Sequence, residues 1–507
     1  MSISGNWSPR PCAPQPLADF AEPARYHRAT GAFHIDTQGA RLARLARYHI
    51  AHYDTNPAEA AVAVWAPGRV ELLGKHVDYA GGTSLTAALP LGIAFVATPI
   101  PEKALHVVDV GRQTDVRLGL CSPMGTGWTK YVYAVWQRLL RNTGEPHYGI
   151  RIAFESTLPP SAGMSSSSAL VTGIWLALSA LYGVHRHPVM QRAIENTADL
   201  ADYLGCLENG RPYKHLAGRE GVGTFGGSQD HAAIMLGRAG HATCASYAPL
   251  TVNRYVAWDP HLSLVVANSG VRATKTGNAK QRYNLVSMRA RALAAALAGT
   301  SYADAPTLRE ALITHDAEVV ERLSNAPTFV PPYRITFAPR TSAALDHATV
   351  LLCEALDVRA LEARRRRERR RLEARLRAYL VETHVHVPQA IEALAWGDGK
   401  RFGAIALASH ALARRELGNQ VPETNALVSL AQARGAYGAS AFGAGFGGAV
   451  WAVVNAAASA DFATAWRAAY HERYPDHAPR TWFGVTHVAE GASILDVSWA
   501  SLGLETA

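Results

Sequence analysis

Apolar positions recur along this chain with two different periods, and the period changes many times. Ile150, Ile152 and Phe154 fall on every second position, the spacing of a half-buried strand, and the run from Ala169 to Tyr182 that follows is patterned as a helix. Apolar runs at Ala61–Ala66, Leu89–Ile100, Leu262–Ala267 and Ala449–Val454 predict further strands. Leu42, Leu45, Ala46, His49 and Ile50 stand at helical spacing and predict a helix within 24–58. Trp128–Leu140 reads as an amphipathic helix whose aromatics belong to the core. Pro188–Leu207 reads as a helix ending near Glu208, and Ala232–Leu236 and Gln281–Ala298 also read as helical. From about Pro306 to Leu430 the pattern is mainly helical, and a helix from Ser459 to Tyr470 precedes a β-like tail.

Composition narrows the class. A chain of 507 residues, 48% apolar and 18% charged, has enough material for two to four globular domains with a sizeable core. No run of about 20 apolar residues occurs, so no membrane span is expected. Met1–Pro23 is Pro-rich and lacks the apolar region of a secretory signal, so residues 1–25 are expected to form a disordered tail. Five scattered cysteines with no C-x-x-C pair indicate neither a zinc site nor a disulfide framework and fit a reducing cytoplasm. Of the net charge of +9, the segment Arg364–Arg371 alone supplies +6, with Glu362, Glu368 and Glu373 at pairing distance on the same helix. Charge so local reads as a solvated helix face rather than a nucleic-acid footprint.

Polar and small residues interrupt the apolar pattern in four places. Leu158-Pro-Pro-Ser-Ala-Gly-Met-Ser-Ser-Ser-Ser-Ala-Leu170 joins a predicted strand to a predicted helix. Small residues there let backbone N–H groups approach an anion, the helix N-terminus adds positive partial charge, and hydroxyls add ligands for phosphate or metal. One serine would cap a helix; four beside Gly163 point to a phosphate site. Pro67–Gly82 brings Arg69, Lys75, His76 and Asp78 within ten residues around Gly74, and taken alone reads equally well as a surface loop. Gly221–His231 crowds four glycines around Asp230, which suits a helix cap or a close ligand. Gly438–Gly448 is the fourth. Its Gly443-x-Gly445-x-x-Gly448 matches the dinucleotide fingerprint but leads into a strand instead of a helix, which excludes that reading. No G-x-x-x-x-G-K-[ST] and no protein-kinase motif set occurs.

Three of these segments, in this order, resemble the GHMP kinase family and within it the galactokinases. Pro67-Gly-Arg-Val-Glu-Leu-Leu-Gly-Lys-His-Val-Asp-Tyr-Ala-Gly-Gly82 is similar to G-R-V-N-L-I-G-E-H-T-D-Y-N-G-G, the serine loop to P-x-x-x-G-L-S-S-S-A, and Gly438–Gly448 to G-x-R-M-T-G-A-G-F-G-G. Trp128 with Tyr131, Ser269-Gly-Val271 and Arg282-Tyr-Asn284 add smaller likenesses, and the whole covers roughly residues 60–490. The resemblance implies a two-lobed α+β fold with the active site between an N-terminal lobe (26–240) and a C-terminal lobe (241–507). It implies ATP phosphates on Pro160, Ser161, Ala162, Gly163, Met164, Ser165, Ser166, Ser167 and Ser168. Mg²⁺ would lie at Ser167 and an acidic residue, Glu208 or Glu220. Asp230 corresponds to the catalytic base and Arg69 to the arginine that stabilises developing charge. Lys75, His76, Asp78, Gly227 and Tyr283 fall at sugar-side positions. The expected protein is a monomer that takes ATP and a small sugar, with no membrane or nucleic-acid partner.

Two departures bear on the sugar. Lys75 stands where galactokinases have Glu, and R-M-T becomes Ser440-Ala-Phe442. A cation at 75 suits an anionic group such as the C6 carboxylate of galacturonate, by charge-assisted pairing, unless its side chain points to solvent. The expectation is therefore a kinase acting on the anomeric hydroxyl of galactose or galacturonate. The rival is a non-catalytic sugar and ATP sensor of the same ancestry, against which Arg69, Asp230 and the serines speak. Another branch, a mevalonate or homoserine kinase, fits the D-Y-x-G-G segment less well.

Overall fold

Two sheets divide the strands among the described residues. The computed structural model describes residues 14–22, 35–159, 162–272, 277–315, 317, 321, 339–355 and 362–495. The larger sheet is built from β1 (Gln15–Pro16), β2 (Ala60–Leu73), β3 (Thr83–Ile100), β4 (Leu105–Asp109), β5 (Thr114–Leu118) and β6 (Gly149–Ser156), in the order β1-β2-β3-β6-β4-β5. β7 (His241–Ser246) joins β3, and β8 (Thr251–Ala257) joins β7. The smaller sheet is antiparallel, with β10 (Gly438–Ala441), β11 (Ala449–Asn455), β9 (Leu262–Asn268) and β12 (Trp482–Thr486) in that order. β13 (Ser493–Leu495) then returns to pair with β2.

Helices cover these sheets. They are α1 (Leu17–Phe20), α2 (Ile35–Tyr53), α3 (Thr129–Thr143), α4 (Ser166–Tyr182), α5 (Pro188–Gln191), α6 (Thr197–Glu208), α7 (Gln229–Leu236), α8 (Gly277–Ala298) and α9 (Leu308–His315). After these come α10 (Pro339–Ala355), α11 (Glu362–Val381), α12 (Val387–Ala395), α13 (Gly399–Leu412), α14 (Pro422–Ala433) and α15 (Ser459–Arg473). α4 is apolar almost all round and lies on β2 and β3, the signature of a central helix. Gly173 permits that contact, because a Cβ there would stand 2.0 Å from the Phe95 ring. α2 covers the opposite face, where Leu42, Leu45 and Ala46 pack on Ala61, Ala63, Trp65 and Val96. A second core joins α8 to α11 and takes in Val77 and Ala80, so the segment between β2 and β3 is anchored in the helical block.

The mixed α+β architecture is as expected; several boundaries are not. β2 does not stop at Ala66 but runs on to Leu73, with register shifts at Pro67/Arg69 and Glu71/Leu73. Its polar residues are buried site residues, which is why the segment reads as a loop in the sequence. The helix expected over Pro188–Leu207 is broken, and α6 restarts where the Asn196 side chain accepts from the Asp199 N–H at 2.9 Å. The part of the expected disordered tail that is described is packed: Gln15–Pro16 pairs with β2, and Leu17 and Phe20 are buried at one-turn spacing. The rest of that tail lies outside the described residues. Nor does residue 240 divide the sheets, because β7 and β8 continue the larger one and the change comes between Ala257 and Leu262.

The arginine-rich segment lies in α11 and is partly neutralised. Arg289 and Arg371 share Glu368, and Arg369 pairs with Asp346 at 2.6 Å and with Glu373. Among the described residues no helix is long and apolar enough to cross a membrane.

Candidate active site

Strand geometry places the first two site residues. Side chains two apart on a strand share a face, and Arg69 and Glu71 both turn from β2 into a cavity where each is buried. Gly74, at φ +92°, then ends the strand against β3; a Cβ there would lie 2.4 Å from that of Ser84. The turn that follows carries Lys75, His76 and Asp78.

The serine loop closes over this strand. Pro160 and Ser161 lie outside the described residues. Gly163 (φ +77°) and Ser165 (φ +57°) turn the chain so that α4 begins at Ser166. The loop is tied to β2 by Arg69, whose backbone N–H donates to the Met164 carbonyl at 3.2 Å and whose Nη1 donates to the Gly163 carbonyl at 2.6 Å. The Ser165 hydroxyl is buried and makes no hydrogen bond within the protein. An orphaned hydroxyl at the positive end of a helix suits an anion.

Asp230, in the first turn of α7, meets Arg69 across 161 residues of sequence. Nε and Nη2 of Arg69 both reach Asp230 Oδ1, at 2.8 and 2.7 Å. The Ser168 hydroxyl donates to Glu208 Oε2 at 2.8 Å and stands 3.5 Å from Asp230 Oδ2. Ser168, not Ser167, therefore meets the acids; Ser167 is half-buried one helical position away. Of the two acidic candidates, Glu208 is buried at this junction, while Glu220 is largely exposed beside Arg219. Among the described residues no three His, Cys, Asp or Glu form a metal cluster by themselves. A hydroxyl beside one carboxylate fits a hard divalent ion that takes its remaining ligands from substrate phosphates and water.

His76, Asp78, Gly227 and Tyr283 gather on the same cavity. Gly227 is where the Asp78 turn comes closest, since a Cβ would stand 2.4 Å from Asp78 Oδ2 and 2.8 Å from the Tyr79 nitrogen. Tyr283, from α8, sets its ring 5.5 Å from that of His76. Burial lowers the His76 imidazole to about 3, helped by the Arg375 charge, so the ring is neutral at physiological pH. Burial also raises the Asp78 carboxyl above its ordinary value.

Lys75 departs from its expected position. It is 2% exposed and is not among the residues on the cavity wall; its ammonium lies 3.7 Å from Glu71 Oε1. Glu71, Asn209, Thr224, Gln229 and His231 do line the cavity and were not anticipated. For Glu71 the signal was available: on a strand it shares the face of Arg69. Asn209 and Thr224 gave no comparable signal, because their closeness depends on the loop between α6 and α7.

The second glycine loop completes the enclosure. After β10, Gly443, Gly445, Gly447 and Gly448 all adopt positive φ before β11 begins. Gly443 packs on the Gly163 carbonyl, and Phe442 lies against the Arg69 guanidinium at 5.9 Å. Beyond the serine loop a second cavity, of about 510 Å³, opens between Ser156–Pro159 and residues near the smaller sheet, including Asn268, Arg272, Arg480 and Trp482. It has the size of a small-ligand pocket.

A serine loop at a helix N-terminus, an Arg–Asp pair and a polar cavity between two sheets suit phosphoryl transfer to a small molecule, and comparison with known proteins gives the family. Residues 47–99 match the galactokinase galactose-binding signature, 130–238 the GHMP kinases N terminal domain and 390–472 the GHMP kinases C terminal. The chain belongs to the GHMP kinase family. Within it, the chain is a galactokinase-like sugar kinase that uses ATP as co-substrate. It is 25% identical to a galactokinase of Bos taurus over 467 residues, covering 89% of this chain and 96% of that one. It is 28% identical to a galactokinase of Mycobacterium bovis (strain BCG / Pasteur 1173P2) over 436 residues, covering 85% and 99%. The crystal structure of Lactococcus lactis galactokinase complexed with galactose shares the fold, with a TM-score of 0.62 at 20% identity over 89% of this chain and 98% of that chain.

Proposed function

We propose that this kinase transfers the γ-phosphoryl group of ATP to the anomeric hydroxyl of a galactose-like hexose, galactose or galacturonate, and releases the sugar 1-phosphate. The observation that carries this reading is the grip of Arg69 on Asp230 at the edge of the cavity, between the Gly163 carbonyl and Ser168. Phosphoryl transfer asks little covalent chemistry of a protein; it needs positioning and charge stabilisation. Asp230 orients the sugar hydroxyl and takes its proton. Arg69 holds Asp230 in place and adds positive charge beside the transferring group. The helix N-terminus, Gly163 and the serine hydroxyls cradle the phosphates.

Ser168 and Glu208 are the residues that would hold Mg²⁺, which when bound neutralises charge on the phosphates. His76, Asp78 and Tyr283 face the sugar. The 510 Å³ cavity beside the serine loop accommodates the nucleoside. The galactokinases named above support a galactose-like substrate. We infer a cytoplasmic setting, supported by the unbridged Cys121, Cys206, Cys244 and Cys353. A monomer suffices, because the site is assembled within one chain.

The test is ADP release with ATP and Mg²⁺ across galactose, galacturonate, glucuronate, arabinose and N-acetylgalactosamine, with Asp230→Ala as control. Turnover with one of these sugars, lost in the variant, supports the assignment. Thermal stabilisation by a sugar without ADP release would replace it with the sensor reading.

A further inference from the structure

One carboxylate oxygen of Glu71 and the Lys75 ammonium, buried at the cavity, have no hydrogen bond within the protein. Glu71 lines the cavity at 2% exposure, and its Oε1 has no hydrogen-bond donor. Lys75, also 2% exposed, sets its Nζ 3.7 Å from that oxygen, and the ammonium too makes no hydrogen bond. A buried carboxylate is costly unless it is both paired and hydrogen-bonded. Lys75 supplies the charge partner. Glu71 also stands on the cavity wall, where its carboxyl can take a donor from whatever fills the cavity.

The surroundings fix which of the two groups is offered to a ligand. Glu382, in the π-helical turn Glu382–His386, accepts from the backbone N–H groups of Gly74 and Lys75 at 2.9 and 3.4 Å. Burial opposes its ionisation, but the His386 hydrogen bond and charge, together with the Lys75 charge, hold its carboxyl at about 2. Lys75 therefore sits among two carboxylates, off the cavity wall, and its charge is spent inside the protein. Glu71 is on the wall. The galactokinase signature carries Asn and Glu at these two positions, and here both differ: the carboxylate has moved from position 75 to position 71 and a cation stands behind it. The two substitutions form one unit, four residues apart in sequence and in contact in space.

We propose that Glu71 is a specificity-determining residue that accepts a hydrogen bond from a hydroxyl of the sugar, that Lys75 is the positioning residue behind it, and that the substrate is in consequence a neutral hexose and not a uronic acid. The inference rests on the assignment of this cavity as the sugar site. A sugar hydroxyl can donate to the Glu71 carboxyl at the cavity wall. Burial pushes the Glu71 carboxyl up to about 7; a uronate carboxylate has no donor to offer it and adds negative charge beside it, while Lys75 lies off the cavity wall against Glu71.

The experiment measures kcat and KM for galactose and galacturonate with wild type, Glu71→Gln, Lys75→Met and the double variant Glu71→Asn/Lys75→Glu, alongside sugar binding by calorimetry. Wild type is expected to favour galactose by at least about tenfold in kcat/KM. Glu71→Gln is expected to raise the galactose KM about tenfold or more with kcat within about threefold, the loss typical of a hydrogen bond to a charged group. The double variant is expected to recover galactose KM relative to Lys75→Met, a rescue that a purely structural lysine would not give. Preference of the wild type for galacturonate, or an unchanged galactose KM in Glu71→Gln, overturns the proposal. ATP-induced thermal stabilisation in each variant checks that it is folded. If wild type binds sugar but releases no ADP, the kinase reading fails separately; galactose affinity in Glu71→Gln then decides, reduced affinity supporting the contact and equal affinity removing it.

Discussion

Arg69 Nε and Nη2 converge on Oδ1 of Asp230, while Oδ2 stays on the side of Ser168. Nη1 of the same guanidinium meanwhile holds the Gly163 carbonyl, so one side chain spaces the carboxylate from the serine loop. A lysine cannot reproduce three planar contacts. Asp230→Asn is expected to lower kcat by about 10²–10⁴ with KM values little changed. Arg69→Lys is expected to lower kcat by about 10²–10³. Steady-state ADP release reads both, and a full-rate Asp230→Asn enzyme would remove the aspartate from the chemistry.

Ser168 and Ser167 give opposite expectations. Consecutive residues on a helix point about 100° apart, and only Ser168 is directed at Glu208. Ser168→Ala is expected to raise the Mg²⁺ concentration needed for half-maximal rate several-fold, and Ser167→Ala to leave it within about twofold. A Mg²⁺ titration at saturating ATP distinguishes them; a larger effect at Ser167 would return the ligand to that position.

This pair also shows what the sequence could and could not reveal. Four adjacent serines point to an anion loop, but choosing among them requires the phase of the helix, which depends on Ser165 turning to positive φ so that α4 starts at Ser166. Arg69 and Asp230 stand out in the sequence because their local motifs are distinctive, and the glycine loop leading into β11 is legible from its apolar continuation. The grip between Arg69 and Asp230 is a tertiary fact. The buried half of β2 was misread for a physical reason: period-two patterning fails when a strand turns Arg69 and Glu71 into a polar site. Lys75 looked like a ligand contact because sequence carries no measure of burial, and its partners Glu71 and Glu382 come from separate elements.

Gly227 tests the packing of the sugar side. A methyl group there would stand 2.4 Å from Asp78 Oδ2 and 2.8 Å from a backbone nitrogen, and backbone cannot swing aside as a flexible side chain can. Gly227→Ala is expected to push the Asp78 turn away and raise the sugar KM about tenfold, with ATP affinity preserved. Parallel KM measurements for sugar and ATP read the difference; equal KM values for sugar in both proteins would show that the turn does not hold substrate.

His49 gives the fold a specific acid sensitivity. Its ring is buried beneath β3, with Nε2 3.1 Å from the Val96 carbonyl and Nδ1 3.1 Å from the Thr98 hydroxyl. A neutral ring satisfies both, donating from Nε2 and accepting at Nδ1. Burial lowers its pKa from 6.5 to about 4, against a smaller upward pull from the Val96 carbonyl. The unfolded chain therefore takes up a proton as pH falls below about 6.5, and the folded protein does not until about 4. Stability from this residue is complete above that range and is lost as pH falls through it, by about 3 kcal/mol for a shift of this size. His76, His384 and His410 are lowered by burial as well, so the acid loss is shared. Replacing His49 by Gln, which keeps a donor but does not titrate, is expected to lower stability at pH 7 yet flatten the decline between pH 6.5 and 4.5 relative to wild type. Urea unfolding across that interval measures both slopes, and parallel slopes would mean that His49 is protonated in the folded state as readily as in the unfolded one.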